Sequence, residues 1–259
     1  MKGYERLADD GVVAEWFADE EFWEALYPFL FGAQRLAAGE SESQAIARLT
    51  GVSGGRLLDL ACGPGRHAIA FARSGFRVTA VDRSTFLLGK AATQASEVEW
   101  VKSDMRSFVR EGEFDLAICM FNSLGYFEGE ADNRKVLENV RRSLRPGGRF
   151  VLDLLGKEVL DRLFQATVAE AVPGVGTYMA DRAWADDRGK LENRWTLTRE
   201  DGRIERFFMR HWVYSADDLE AMLREAGFDA VRLFGDLSGA PYGQDAKRLI
   251  ALASRPRSG

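Results

Sequence analysis

The stretch Asp59-Leu-Ala-Cys-Gly-Pro-Gly-Arg-His67 constrains this chain more than any other nine residues. It follows the apolar pair Leu57-Leu58 and leads into Ala68-Ile-Ala-Phe-Ala-Arg73, which starts a helix. A carboxylate in a strand, a glycine turn and a helix N-terminus together wrap main chain closely around a polar ligand. Gly63 and Gly65 allow positive φ and place no Cβ in the way, so a ligand there touches backbone. Which ligand fits depends on where the acids lie.

The 259 residues suffice for one large domain, or one domain with an insertion. Hydrophobic residues at 46% and charged residues at 29% supply the core and surface of an ordinary soluble globular chain. A net charge of −5 offers no global attraction to nucleic acid or anionic membrane, and neither is expected as a partner. Cys62 and Cys119, each inside an apolar stretch, point to a reducing compartment with no disulfide framework and no metal cluster. Met1-Lys-Gly-Tyr-Glu-Arg6 is charged and mixed, unlike a secretory signal, and no apolar run approaches the ~18 residues of a membrane helix. The expectation is a cytoplasmic protein, monomer or homodimer.

Residues 12–51 are expected to be helical, with Trp16, Phe17, Phe22, Trp23, Leu26, Tyr27 and Leu30 along one broad face. Ser41 to Leu49 forms a further helix, ended near Gly51. Strands at Arg56–Leu60, Arg77–Val81, Val98–Val101, Phe114–Cys119 and Arg149–Leu154 then alternate with helices over 66–73, 84–95 and 132–144. Continuous apolar strands in such alternation predict a parallel sheet covered on both faces. Asp132 or Asn133 is the expected N-cap of the third helix, and Pro146-Gly147-Gly148 its stop. From about 175 to 214 the pattern favours antiparallel strands, with hairpin turns at Asp187-Arg-Gly189 and Asp201-Gly202. Ser215-Ala-Asp-Asp218 resembles a capping box opening a helix that Gly227 ends, before strands at Ala230–Phe234 and Arg248–Ala253.

The predicted fold class is α/β: a Rossmann-like, seven-stranded, mostly parallel sheet with helices on both faces, an N-terminal helical cap and an antiparallel β insertion. The cap spans 1–53, the nucleoside-binding core 54–166, the insertion or lid 167–214, and the completion of the core 215–259. Cap and lid are expected to meet over the crevice at the carboxyl ends of the strands.

Gly63-x-Gly65-x-x-Ala68 loosely fits a dinucleotide fingerprint, and Asp82, ending the second strand, would take ribose hydroxyls in either class of ligand. A nicotinamide-dependent dehydrogenase therefore stays in play. Three features favour S-adenosylmethionine instead. Asp59 lies within the first strand, where dinucleotide folds keep apolar residues; Ser103-Asp104-Met105 adds an acid suited to an adenine amino group; and this ligand brings an ammonium rather than a diphosphate.

Asp59-x-Ala61-x-Gly63-x-Gly65, Asp82, Asp104-Met105, Phe114-Asp115 and Leu144-Arg-Pro-Gly-Gly148, in that order, resemble the class I S-adenosylmethionine-dependent methyltransferases. The resemblance covers about residues 55–155 and, more weakly, 215–254. It implies that Asp59 and the Ala61, Cys62, Gly63 and Gly65 backbone lie against the methionine end. It implies that Asp82 takes the ribose with Arg83 and Ser84 beside it, that Asp104 and Met105 hold adenine, and that Met120 and Phe121 flank the ligand. Tyr27 is the cap residue expected to reach the cofactor. Asp115 is expected to be a turn acid. S-adenosylhomocysteine would be the product.

Such an enzyme aligns a nucleophile behind the S–CH3 bond and excludes water, and needs a base only for a protonated nucleophile. His67 is expected to cap or pack. His211 shares a strand face with Phe207, Met209 and Val213, opposite Phe208, Arg210, Trp212 and Tyr214; a structural role and a pocket or base role both stay open. Tyr126, Tyr214 and Tyr242 are the candidate substrate-pocket residues. Asn122-Ser-Leu124 lacks the proline-rich loop common in enzymes that methylate amino groups of nucleic acid or protein. The expected reaction is methyl transfer to nitrogen or oxygen of a small molecule, with RNA or protein as the alternative acceptor. The cap, insertion and Gly235–Gly243 loop also look weakly like those of bacterial amino-sugar and glycine N-methyltransferases.

Overall fold

The computed structural model describes residues 15–185 and 189–257 and the backbone of Tyr4–Glu5. In chain order the elements are β1 (Tyr4–Glu5), a 3-10 turn (Trp16–Ala18), α1 (Glu20–Leu30), α2 (Ala33–Thr50), β2 (Arg56–Leu60), α3 (Arg66–Arg73), β3 (Arg77–Asp82), α4 (Thr85–Ala92), β4 (Glu99–Lys102) and β5 (Phe114–Cys119). There follow α5 (Glu130–Ser143), β6 (Leu144–Leu154), α6 (Lys157–Leu163), β7 (Thr167–Val172), β8 (Gly176–Trp184), β9 (Lys190–Arg199), β10 (Ile204–Trp212), α7 (Ala216–Glu225), β11 (Asp229–Phe234) and β12 (Leu249–Ser254).

Seven strands form one sheet in the order β11-β12-β6-β5-β2-β3-β4. All neighbours from β6 to β4 run parallel, while β12 is antiparallel to both β6 and β11. The chain leaves β2 for β3 on one side and reaches β5 on the other, so the sheet reverses direction between β2 and β5. A crevice opens at such a switch point, at the carboxyl ends of the strands. Two apolar cores cover the faces: one joins Phe114, Leu137, Phe150 and Leu219, the other Ile46, Leu57, Phe71 and Ile118. The continuous apolar runs of β2 and β5 follow from this burial on both faces.

The second sheet, β1-β10-β9-β8-β7, is antiparallel except for the short β1–β10 pairing. Its inner face packs on the N-terminal helices. Trp16, Phe22, Leu26 and Phe29 share a core with Ala180, Trp195, Leu197 and Met209. Each such large side chain contributes about 1.5–3 kcal/mol on burial, which holds cap and lid together above the first sheet. No helix among the described residues is long and apolar enough to cross a membrane.

Several elements differ from expectation. The N-terminal segment is a 3-10 turn and two helices broken at Phe31–Gly32, where Pro28 lies in the last turn of α1; residues 12–14 lie outside the described residues. The N-cap of α5 is Gly129, not Asp132 or Asn133. Asp132 sits in the first turn, and Asn133 is buried, its Oδ1 accepting the Gly125 amide at 3.0 Å. Strand β6 begins at Leu144, pairing with Phe114 before a register shift, and carries Pro146-Gly-Gly148 within it. Helix α6 and strand β7 escaped the pattern reading. The Asp201-Gly202 turn is present, the Gly202 amide donating to the Arg199 carbonyl at 2.9 Å; Asp187 and Arg188 of the other hairpin lie outside the described residues. Ser215 and Asp218 form the reciprocal capping box, and Gly227 (φ 86) follows the end of α7.

Candidate active site

The carboxyl ends of β2, β3, β4 and β5 open into a cavity of about 350 Å3 roofed by Trp16, Phe22, Trp195 and Met209 of cap and lid. Asp59, Asp82 and Asp104 all line it, and no other acid among the described residues does. The three carboxylates thus converge on one space, each in a different state.

Asp59 is 1% exposed, and its Oδ2 has no hydrogen-bond partner. Burial pushes its pKa up to about 7; the Arg66 charge and the Ala68 amide oppose that rise, and the Asp82 charge adds to it. Asp82 is tied to the turn: its Oδ2 accepts the Gly63 amide at 2.7 Å and its Oδ1 the Ser84 amide at 2.9 Å. Burial raises its pKa, and those amides counter it. Ala61 (φ 57), Gly63 (φ 54) and Gly65 (φ 80) all turn left-handed, which brings main chain rather than side chain to the cavity. Ala61 carries strain there, as do Phe121 (φ 62) and Asn122 (φ 63) at the end of β5. Asp153 fixes the latter pair, its Oδ2 accepting the Phe121 amide at 3.0 Å and its backbone carbonyl the Asn122 amide at 2.9 Å.

Asp104 is held by arginines. Its Oδ1 accepts the Arg106 amide at 2.8 Å and Nε at 3.0 Å; its Oδ2 accepts one Nη of Arg106 at 2.6 Å and one of Arg83 at 3.1 Å. Its four lone-pair directions are filled, so an adenine amino group gains a place only if an arginine turns away. Both arginines also pair with Glu15 of the cap, at 2.5 and 2.6 Å.

Ala61, Cys62, Gly63, Arg83, Met105, Met120, Phe121, Tyr126 and His211 line the cavity as well. The Cys62 thiol is buried, which raises its pKa well above the usual range and leaves it inert. Five other candidates lie elsewhere. Gly65 caps α3 with its backbone packed toward Trp100. Ser84 is the N-cap of α4, its Oγ donating to Glu20 at 2.5 Å. Tyr27 packs its ring on Phe31 and Phe86 outside the cavity lining. Tyr214 follows the opposite alternation from Val213 and is buried in the main core beside Leu219 and Met222. Tyr242 donates its hydroxyl to Glu158 at 2.8 Å, away from the cavity. Asp115 binds the Arg56 amide at 2.7 Å and Arg145 at 2.7 Å, a structural role. His67 borders the cavity with its Nε2 2.7 Å from Glu42.

His211 lines the lid side, 5.9 Å from the Tyr126 ring, with Nδ1 buried and unpartnered. Burial and the nearby Arg182 charge lower its pKa to about 4, so it is a neutral imidazole near pH 7. Burial pushes Tyr126 up to about 12. Neither group is a ready base.

Sequence reasoning missed four polar residues of the cavity: Arg66, Arg182, Asn193 and Arg248. Arg66 and Arg248 flank the Phe121 ring at 5.4 and 5.8 Å. One Nη of Arg248 is buried without a partner while its Nε donates to Asp153 at 2.6 Å. An isolated arginine such as Arg182 in a strand reads as a surface charge; the alternation of β8 and β9 was the signal that Arg182 and Asn193 face inward.

An α/β sheet with acids on adjacent strand ends and a glycine turn bonded to one of them defines a nucleoside-binding Rossmann-like fold. Residues 57–148 match the family described as a methyltransferase domain. The putative methyltransferase YqeM of Bacillus subtilis (strain 168) is 26% identical over 211 residues, covering 79% of this chain and 85% of that protein. The glycine/sarcosine N-methyltransferase of Aphanothece halophytica is 28% identical, covering 77% and 76%. In fold, the chain matches an S-adenosylmethionine-dependent methyltransferase from Clostridium acetobutylicum with a TM-score of 0.76 at 17% identity, covering 91% and 98% of the two chains. Residues 57–148 are thus a methyltransferase domain, and the chain as a whole is similar in fold to S-adenosylmethionine-dependent methyltransferases. It is an enzyme of methyl transfer.

Proposed function

We propose that this enzyme methylates a nitrogen or oxygen of a small molecule enclosed between the sheet and the lid. The observation that carries this reading is the roof itself: cap and lid share one aromatic core over the cavity, leaving space suited to a compact acceptor. The relatives that act on small molecules, such as the glycine/sarcosine N-methyltransferases, support the same reading.

The residues present fit the cofactor. The buried, unpartnered Asp59 Oδ2 suits an ammonium, and the buried Nη of Arg248 beside Arg66 suits a carboxylate. Asp82 has lone pairs left for ribose hydroxyls after binding two amides. When bound, S-adenosylmethionine supplies a methyl group on a positively charged sulfur. The protein's share is then to orient and to keep water out. Trp16, Tyr126 and Trp195 form the apolar wall, and neutral His211 accepts a hydrogen bond rather than taking up a proton. That arrangement suits an amine that arrives unprotonated or sheds its proton to solvent.

Calorimetric titration with S-adenosylhomocysteine tests the cofactor site, with micromolar binding expected. Transfer of radiolabelled methyl from the cofactor is then compared for a small-molecule extract, total RNA and total protein. Label in the small-molecule fraction is expected; label confined to RNA or protein would overturn the reading.

A further inference from the structure

Buried polar atoms that lack partners gather around the cavity: Asp59 Oδ2 and a nitrogen of Arg248 on the sheet side, and Arg182 Nε, Trp16 Nε1, Trp195 Nε1 and His211 Nδ1 toward cap and lid. The sheet side carries charges of both signs, whereas the described lid residues bring only a cation to the cavity. The acids lining the cavity, Asp59, Asp82 and Asp104, all stand at or near the ends of core strands, and none of the described lid residues adds one. On the lid, β8 and β9 pair Arg182 directly with Asn193, which in turn pairs with Met209 of β10. All three side chains line the cavity. Among the described residues, no carboxylate and no hydrogen-bond acceptor reaches the Arg182 guanidinium. Arg182 is half-buried, and its Nε is buried without a partner, a polar group that costs free energy until something bonds it.

We propose that Arg182 anchors a carboxylate of the methyl acceptor, so that the substrate is a monocarboxylic acid with an apolar body. This rests on the small-molecule methyltransferase reading and names its substrate class. A guanidinium fork matches a carboxylate in two parallel hydrogen bonds, and a low-dielectric wall strengthens them. The amide of Asn193 lies beside the fork. Trp16, Phe22, Tyr126, Trp195 and Met209 offer apolar surface for the remainder of the molecule. Arg182 is the one charged side chain that the described lid residues bring to the cavity, beside the neutral His211, which suits a single negative charge rather than a phosphate dianion. The acceptor would be fixed by its acid group on the lid, leaving its nucleophile directed at the sheet side.

Quenching of tryptophan fluorescence in the S-adenosylhomocysteine-loaded protein tests this, with Trp16, Trp23 and Trp195 as reporters in the cavity wall. The probes are small apolar carboxylates, phenylacetate and indole-3-acetate among them, each paired with its neutral amide and with phenyl phosphate. Wild type is expected to favour each carboxylate over its amide at least tenfold. Arg182→Met should abolish that preference, and Arg182→Lys should keep part of it, while S-adenosylhomocysteine affinity stays within twofold in both. Equal or absent binding of acid and amide in wild type, tighter binding of the phosphate, or a preference surviving in Arg182→Met would each overturn the proposal. Loss of S-adenosylhomocysteine binding by wild type would instead strike the methyltransferase reading.

Discussion

The Gly63 amide donates to the Asp82 carboxylate at 2.7 Å, tying the turn after β2 to the end of β3. The Ser84 amide takes the other oxygen at 2.9 Å, so one side chain organises both the glycine turn and the start of α4. The acid that would receive the ribose therefore also shapes the glycine turn that lines the cavity.

Asp82→Ala is expected to weaken S-adenosylhomocysteine binding at least tenfold, since each charge-assisted hydrogen bond is worth about 1.5–3 kcal/mol. Asp82→Asn keeps a carbonyl for the Gly63 amide and should lose less. Calorimetry on both variants, with thermal unfolding as the check on folding, measures the difference. Unchanged affinity in the alanine variant would remove Asp82 from the site.

Asp59 gives a pH signature. Its folded pKa, about 7, stands above the ordinary 3.8, so between those values the folded state holds a proton the unfolded chain has released. The contribution of Asp59 to stability is therefore greatest below pH 4 and declines as pH rises to about 7. Asp59→Asn should remove that decline and stabilise the cofactor-free protein at pH 8. An ammonium placed at the carboxylate reverses the shift, so cofactor binding at pH 6.5 should release a proton. Calorimetry in buffers of different ionisation enthalpy reads this directly; no proton release would separate Asp59 from the ammonium.

His211 works in the opposite direction. Its folded pKa of about 4 lies below the ordinary 6.5, because burial and the charge of Arg182 disfavour the imidazolium. The unfolded chain binds the extra proton first, so this contribution is full above pH 6.5 and is lost as pH falls to 4. It partly cancels the Asp59 slope in the same window, and the wild-type profile should look flatter than either variant's. Denaturant unfolding of His211→Gln should show stability rising more steeply than in wild type as pH falls from 7 to 4, the Asp59 slope uncovered. Its turnover should retain the wild-type pH profile above 5, because no proton uptake by His211 shapes it; loss of an ionisation from that profile would make His211 a base.

The sheet was legible because its strands are buried on both faces: Phe114–Cys119 is apolar apart from Asp115 and could hardly be anything else. The acids of the site were legible for the same reason, since a carboxylate inside or ending such a strand stands out. What side chains do across long distances was not. Nothing local says that Asp104 is clamped by Arg83 and Arg106, or that Tyr214 turns into the core while His211 turns into the cavity. Strand β7 is mostly exposed along its length, so it lacks the alternation that marks a half-buried strand. Tyr27 lies on an aromatic helix face, but that face is broad, and its outer edge meets Phe86 rather than the cavity.

The packing of α2 on α3 sets the last expectation. Gly39 of α2 is buried, and a Cβ there would lie 2.4 Å from the Arg66 carbonyl oxygen and 2.9 Å from its carbon, both backbone atoms. Backbone cannot swing aside as a side chain does, so Gly39→Ala must push the two helices apart, at a cost of about 1–3 kcal/mol. Better helix propensity returns up to about 1 kcal/mol of that. Gly89 of α4 provides the matched control, since a Cβ there meets nothing within 4 Å. Gly89→Ala should therefore stabilise by about 0.5–1 kcal/mol while Gly39→Ala destabilises, both read from urea unfolding. The first turn of α3 follows directly on Gly63–Gly65, so Gly39→Ala should also weaken S-adenosylhomocysteine binding and Gly89→Ala should not. Equal stability changes in the two variants would mean that the α2–α3 contact yields without strain.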